Sequence, residues 1–234
     1  MISGLQKMTL LDYPGKVACT VFLQGCNFRC PFCHNSDLLP HNAEALMDIP
    51  AFLQFLEKRR GLLDAVCVSG GEPTLSPDLE QLLRGIKSLG FFVKLDTNGY
   101  RPDILRHLTA EGLLDYVAMD VKNSPARYAQ TTGLPRIALE KIEESLRFLL
   151  SGTVPYELRT TVVNELHDEE SIAEMGQWLA ALAAPKKPDM LYLQAFVDRD
   201  SVLFSGLNPP EPDKLKRYVT LLTPYVVSAK IRSE

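Results

Sequence analysis

Short apolar runs alternate along most of the chain with longer stretches apolar on one side only. The runs VACTVFLQ (17–24), AVCVSG (65–70), FFVKLDT (91–97), YVAMDV (116–121), YELRTTVV (156–163) and MLYLQAF (190–196) are rich in branched or aromatic residues and bounded by turn or charged residues, the signature of short strands. Helix-like stretches lie between them. AFLQFLEKRRG carries Phe52, Leu53 and Leu56 and stops near Gly61; SPDLEQLLRGIKSLG opens on Ser76-Pro77 and closes on Gly90; RPDILRHLTAEG opens on Pro102 and closes on Gly112. ALEKIEESLRFLLSG, DEESIAEMGQWLAALAA and DKLKRYVTLL follow, and YVVSAKIR ends the pattern as a final strand.

Strands that alternate with helices predict parallel pairing through right-handed crossovers. The expected class is α/β: a barrel of parallel strands with outer helices, or part of one, in a single domain over residues 1–234. A doubly wound open sheet is the alternative, weakened because no GxGxxG follows any strand. The stretch VDRDSVLFSGLNPPEP (197–212) is expected to be a loop across the barrel or a partner-contacting segment, ahead of a last helix and strand over 213–232.

Composition narrows the class without changing it. Of 234 residues, 46% are hydrophobic and 23% charged, the balance of a globular protein with one substantial core. The net charge is −4 and no Lys/Arg-rich run occurs, so nucleic acid is not an expected partner. No apolar run approaches the roughly 18 residues of a membrane helix, and the opening MISGLQKMTLLDYPGK lacks a signal-peptide pattern. The expected address is the cytoplasm, where an odd count of 5 cysteines reads as metal binding or reactivity rather than disulfides.

In parallel α/β folds functional residues gather at the C-terminal ends of strands, and here most strand ends are polar. The first runs into the loop 25–35, GCNFRCPFCHN, with Cys26, Cys30 and Cys33. Closed zinc sites usually take four protein ligands. A fourth would have to be His34, Cys19, Cys67 or a distant group, and His34 directly follows Cys33. A 4Fe–4S cluster held by three thiolates leaves one iron for a substrate, and the spacing favours the cluster. Cys19 and Cys67 sit within apolar runs and read as small buried hydrophobes.

The other ends carry Gly70-Gly71-Glu72-Pro73, Asp96-Thr97-Asn98-Gly99 and Asp120-Val121-Lys122. The glycines allow a close backbone approach, Glu72 can accept from an amine, and Asp96 and Thr97 offer oxygens to a hydroxyl, an amine or a small cation. The structural alternatives are a strand-to-helix turn for the first group and an Asx turn for the second. Asp120 and Lys122 point the same way and either pair with each other or bind an anion. Arg159, in an otherwise apolar strand, is expected to meet a carboxylate. His41, His107 and His167 lie in polar surroundings and are given no role.

Taken in order, Cys26-x3-Cys30-x-Phe32-Cys33, GGEP, DTNG and DxK resemble the radical S-adenosylmethionine (SAM) superfamily over nearly the whole chain. More narrowly they resemble the activating enzymes of glycyl-radical enzymes. The opening TLLDYPGK…FLQGCNFRCPFCHN is close to the activating proteins of anaerobic ribonucleoside-triphosphate reductase. The resemblance implies that Cys26, Cys30 and Cys33 ligate a 4Fe–4S cluster whose open iron chelates SAM. It places backbone around Phe32 against adenine, gives Gly70, Gly71 and Glu72 the methionyl amino group, and sets Lys122 and Arg159 along the SAM site. Asp96, Thr97 and Asp120 resemble positions that hold a monovalent cation in pyruvate formate-lyase activating enzyme. Where that relative's sixth strand offers a histidine this chain has Phe196, so no polar contact is carried over there, and the fold implied is a partial TIM-like (β/α)6 barrel.

The implied chemistry is one-electron cleavage of SAM to a 5′-deoxyadenosyl radical, which takes a hydrogen atom from a glycine of a partner enzyme. A flavodoxin- or ferredoxin-type donor would supply the electron. Only 36 residues separate Cys33 from Gly70, with Cys67 their single cysteine, so an inserted ferredoxin-like module is excluded. No appended substrate domain is expected, and the wide mouth of a minimal barrel suits a macromolecular substrate. The alternatives are a pyruvate formate-lyase-type activating enzyme and a small-molecule radical SAM enzyme such as a 7-carboxy-7-deazaguanine synthase. From a different class comes a non-catalytic zinc or electron-transfer iron–sulfur protein.

Overall fold

A computed structural model describes residues 2–39 and 45–232. His41 lies outside them. Every expected strand is present: β2 (Ala18–Leu23), β3 (Ala65–Gly70), β4 (Phe92–Thr97), β5 (Tyr116–Asp120), β6 (Tyr156–Val162), β7 (Met190–Ala195) and β8 (Ser228–Ile231). One strand was not foreseen, β1 (Ile2–Thr9), which pairs antiparallel with β2. Its ISGLQKMT gives no apolar alternation because most of it is an outer strand with half-buried or exposed side chains.

The helices are α1 (Ile49–Glu57), α2 (Leu79–Ser88), α3 (Pro102–Ala110), α4 (Tyr128–Thr131), α5 (Leu139–Leu150), α6 (Glu169–Ala183) and α7 (Pro212–Leu222). α4 is a single turn that the apolar pattern did not foretell. The longer helices follow apolar stripes and local caps. Asp48 accepts from the Ala51 amide at the start of α1. Asp168 and Ser171 close a reciprocal capping box on α6. α2 buries Leu79, Leu82, Leu83 and Ile86, the spacing of one helix face.

Close contacts divide the described residues into two compact units, each drawn from three separate segments. The first unit holds residues 1–27, 37–97 and 103–118. Within it β2, β3 and β4 run parallel in chain order. β2 and most of β3 are buried, as both-face burial of parallel strands requires. The register aligns Thr20 with Cys67 and Cys67 with Lys94, so these three side chains share one face.

The second unit holds residues 28–36, 98–102 and 119–234. Here β6, β7 and β8 are parallel, again in chain order. The Val121 amide donates to the Arg159 carbonyl at 2.8 Å, aligning the segment after β5 with β6. Among the described residues no helix is long and apolar enough to cross a membrane.

Candidate active site

In the first unit the end of β3 folds onto the end of β2 through backbone alone. The Gly71 amide donates to the Leu23 carbonyl at 2.9 Å, and the Glu72 amide donates to the Gly25 carbonyl at 2.7 Å. Both glycines are required. A Cβ on Gly70, whose φ is +132°, would meet the Leu23 carbonyl oxygen at 2.1 Å. One on Gly71 would meet the Gly25 carbonyl oxygen at 2.2 Å and the Cys26 Cβ at 3.2 Å. The close approach foreseen for a ligand is thus first an approach to the chain's own backbone beside Cys26.

Glu72 is buried, and its Oε1 accepts from three donors: the Thr74 amide at 3.1 Å, the Thr74 hydroxyl at 2.5 Å and the Thr97 hydroxyl at 2.8 Å. The GGEP turn and the end of β4 are thereby locked together. Asp96, two residues beyond Lys94 on the same face, accepts from Lys94 Nζ at 2.6 Å. Lys94 was not singled out in the sequence. Its signal was the one used for Arg159, a charge in an apolar strand with a partner required.

In the second unit the backbone of Cys30 and Cys33 closes a tight turn, the Cys33 amide donating to the Cys30 carbonyl at 3.1 Å. Burial pushes the Cys30 thiol up to about 11, against the opposing pull of the Lys122 ammonium. Lys122 Nζ donates to Asp120 Oδ2 at 3.0 Å and stands 6.0 Å from the centroid of the buried Phe32 ring. Arg159 Nε donates to the other oxygen, Asp120 Oδ1, at 3.0 Å. Burial drives the Asp120 carboxyl upward, but Lys122 and Arg159 outweigh it and hold it at about 2. Two cations on one carboxylate leave a net positive charge, a suitable lining for an anionic group. Arg159 thus meets the expected carboxylate, and the expected Asp120–Lys122 pair is present.

Part of the proline-rich segment is tied down along the cysteine loop. His34 Nε2 donates to the Val197 carbonyl at 2.7 Å and its ring stacks on Phe196 at 5.6 Å. The Ser201 hydroxyl donates to the His34 carbonyl at 2.7 Å, Ser36 donates to the Ser201 carbonyl, and the Phe204 amide donates to the Pro31 carbonyl at 3.3 Å. Phe196 therefore serves as a stacking platform for His34.

His167 corrects the sequence reading: it is buried, not in polar surroundings. Its Nδ1 accepts from the Val163 amide at 3.1 Å, which leaves Nε2–H to donate to the Lys122 carbonyl at 2.9 Å. Asn98 makes the Asx turn considered for DTNG, its Oδ1 accepting from the Tyr100 amide at 3.0 Å. Cys19 and Cys67 are fully buried, and burial pushes the Cys19 thiol up to about 12.

The expected site residues therefore fall into two groups. Cys26, Gly70, Gly71, Glu72, Asp96 and Thr97 belong to the first unit, and Cys30, Phe32, Cys33, Asp120, Lys122 and Arg159 to the second. None of the three loop cysteines is in a disulfide. Among the described residues no three Cys, His, Asp or Glu side chains gather closely enough to hold one metal ion. The donor set suits a cluster in which each thiolate takes its own iron, since thiolate is the ligand such clusters use.

The radical SAM superfamily model matches residues 20–177, more than half of the chain. A protein of Methanocaldococcus jannaschii described as a glycyl-radical enzyme activating enzyme is 31% identical over 241 residues, covering 100% of this chain and 96% of its own. The pyruvate formate-lyase-activating enzyme of Staphylococcus epidermidis is 27% identical, covering 93% of this chain and 94% of its own. Among solved structures, Streptococcus suis SuiB bound to its precursor peptide SuiA matches with a TM-score of 0.68 at 13% identity, over 92% of this chain and 48% of that one. That likeness shows the fold alone, and it is the α/β fold expected from the strand–helix rhythm. Matched in the segment that carries its cysteine loop and most of its polar strand ends, and with a 4Fe–4S cluster and SAM as the cofactors this implies, the chain belongs to the radical SAM superfamily of enzymes.

Proposed function

We propose that the protein is an activating enzyme that places a radical on a glycine of a partner enzyme. The observation that carries the reading is end-to-end likeness to an activating enzyme, in a chain whose polar strand ends supply the groups that SAM requires. In this reading Cys26, Cys30 and Cys33 hold the cluster. Glu72, kept in place by Thr74 and Thr97, accepts from the methionyl amine, and Gly70 and Gly71 bring it alongside Cys26. Lys122 and Arg159 offer positive charge to the carboxylate of SAM, and Asp120 holds both at fixed positions. Phe32 lies at the adenine side of the loop. The bound cluster and SAM supply a one-electron cleavage and a hydrogen-abstracting carbon radical; the protein orients them and keeps out water.

The proposed partner is anaerobic ribonucleoside-triphosphate reductase, supported by the opening TLLDYPGK…FLQGCNFRCPFCHN. The second reading keeps the chemistry and makes pyruvate formate-lyase the partner, supported by the Staphylococcus epidermidis relative. A flavodoxin- or ferredoxin-type donor and a cytoplasmic address complete the proposal. The test mixes reduced holoenzyme, SAM and each candidate partner without oxygen and records electron paramagnetic resonance. A glycyl-radical doublet on the reductase supports the first reading, and one on the lyase alone supports the second. SAM cleavage with no doublet on any glycyl-radical enzyme overturns both.

A further inference from the structure

The resemblance gives Asp96 and Thr97, with Asp120, to a monovalent cation. In the first unit both are already engaged. The Lys94 side chain is 0% exposed, and its Nζ lies 2.6 Å from Asp96 Oδ1. The Thr97 hydroxyl proton goes to Glu72 Oε1. Below them the parallel register sets Lys94 beside Cys67 and Cys67 beside Thr20, whose hydroxyl donates to Asp12 Oδ2 at 2.5 Å. Lys94 is therefore built into the packed face of three strands.

A buried ammonium is tolerated only with a counter-charge, and breaking such a pair leaves an uncompensated charge in the interior at a heavy penalty. A cation that displaced Lys94 from Asp96 would incur that penalty. A cation that shared Asp96 with Lys94 would stand close to a second positive charge. At about 4 Å two like charges repel strongly even in a partly shielded site. The donor set at Asp96 thus disagrees with a cation site.

We propose that Lys94 takes the place of the monovalent cation. Its ammonium is the fixed positive charge on Asp96, acting as a positioning residue that holds this strand end for the methionyl carboxylate of SAM. SAM binding by this chain is therefore independent of sodium and potassium. The inference rests on the SAM reading of these strand ends and adds to it the source of the charge.

The experiment measures SAM affinity of the anaerobic holoenzyme in sodium, potassium or N-methylglucammonium chloride at constant ionic strength. Wild-type affinity is expected to change by less than about twofold, the residue of general screening. The sodium-ion NMR line width is expected to stay the same when SAM is added. In Lys94→Met, affinity in N-methylglucammonium is expected to fall about tenfold or more. Sodium or potassium should then restore it, which a merely structural lysine would not allow.

Two results overturn the proposal while leaving the SAM reading intact. One is a wild-type affinity that rises tenfold and saturates with sodium or potassium. The other is a sodium line that broadens on SAM addition and stays sharp in Asp96→Asn. If the wild type binds no SAM in any of the three salts, the SAM reading fails and the inference falls with it. Should Lys94→Met not fold, the wild-type comparison decides alone.

Discussion

Gly71 is the residue on which the two motifs of the first unit meet. An added methyl would sit 2.2 Å from the Gly25 carbonyl oxygen and 3.2 Å from the Cys26 Cβ, and a backbone neighbour cannot swing aside as a flexible side chain can. Gly71→Ala is therefore expected to push the GGEP turn off the base of the cysteine loop. Iron bound per chain after anaerobic reconstitution should fall well below that of the wild type, although Gly71 ligates nothing. Glu72→Ala has a different expected outcome. It strands the Thr74 and Thr97 hydroxyls and the Thr74 amide in a buried pocket, at a cost of about 1–3 kcal/mol, read as a lower urea midpoint. Thr97→Val removes one of those donors and should cost less. Among the cysteines, Ala at 26, 30 or 33 is expected to abolish SAM cleavage. Ala at 67 should leave it intact, because Cys67 packs with Tyr13, Ala18 and Ala65.

Elements explain why some of this was legible in the sequence and some was not. Parallel strands announce themselves because both faces are buried, so AVCVSG and FFVKLDT stand out as apolar runs and the residues following them fall at strand ends. β1 carries mostly half-buried or exposed side chains and gives no such signal. Arg159 could be predicted to meet a carboxylate from the cost of burying a lone charge. The same cost applies to Lys94, whose partner Asp96 lies only two residues on, inside the DTNG motif. His167 was misread because its neighbours in sequence are polar, while its ring is enclosed by the loop after β6 and the Lys122 carbonyl.

That enclosure has a measurable consequence. Burial depresses the His167 pKa below its ordinary 6.5. The unfolded chain then binds a proton that the folded one does not, so the stability linked to His167 is complete above pH 6.5 and shrinks as pH falls through and below it. The urea midpoint of the wild type is expected to drop more between pH 7.5 and pH 5.5 than that of His167→Gln. Parallel slopes would contradict the assignment. The tether between the cysteine loop and residues 196–204 is expected to loosen in His34→Ala, seen as faster proteolytic cleavage within that segment.

For the whole molecule, family membership follows from the match over residues 20–177 and the function from likeness over the full chain. Within each unit the polar strand ends mainly fix charges: in the first, one cation on Asp96 and three donors on Glu72; in the second, two cations on Asp120. No general base is needed, because the reaction moves a hydrogen atom rather than a proton. Such a site is judged by where the hydrogen goes. The most direct measurement uses the proposed partner reductase grown with deuterated glycine, incubated anaerobically with reduced holoenzyme and SAM, followed by mass analysis of the 5′-deoxyadenosine released. The account predicts deuterium in that product, in step with the appearance of a glycyl radical on the partner. Unlabelled 5′-deoxyadenosine beside a partner that has gained its radical would contradict it.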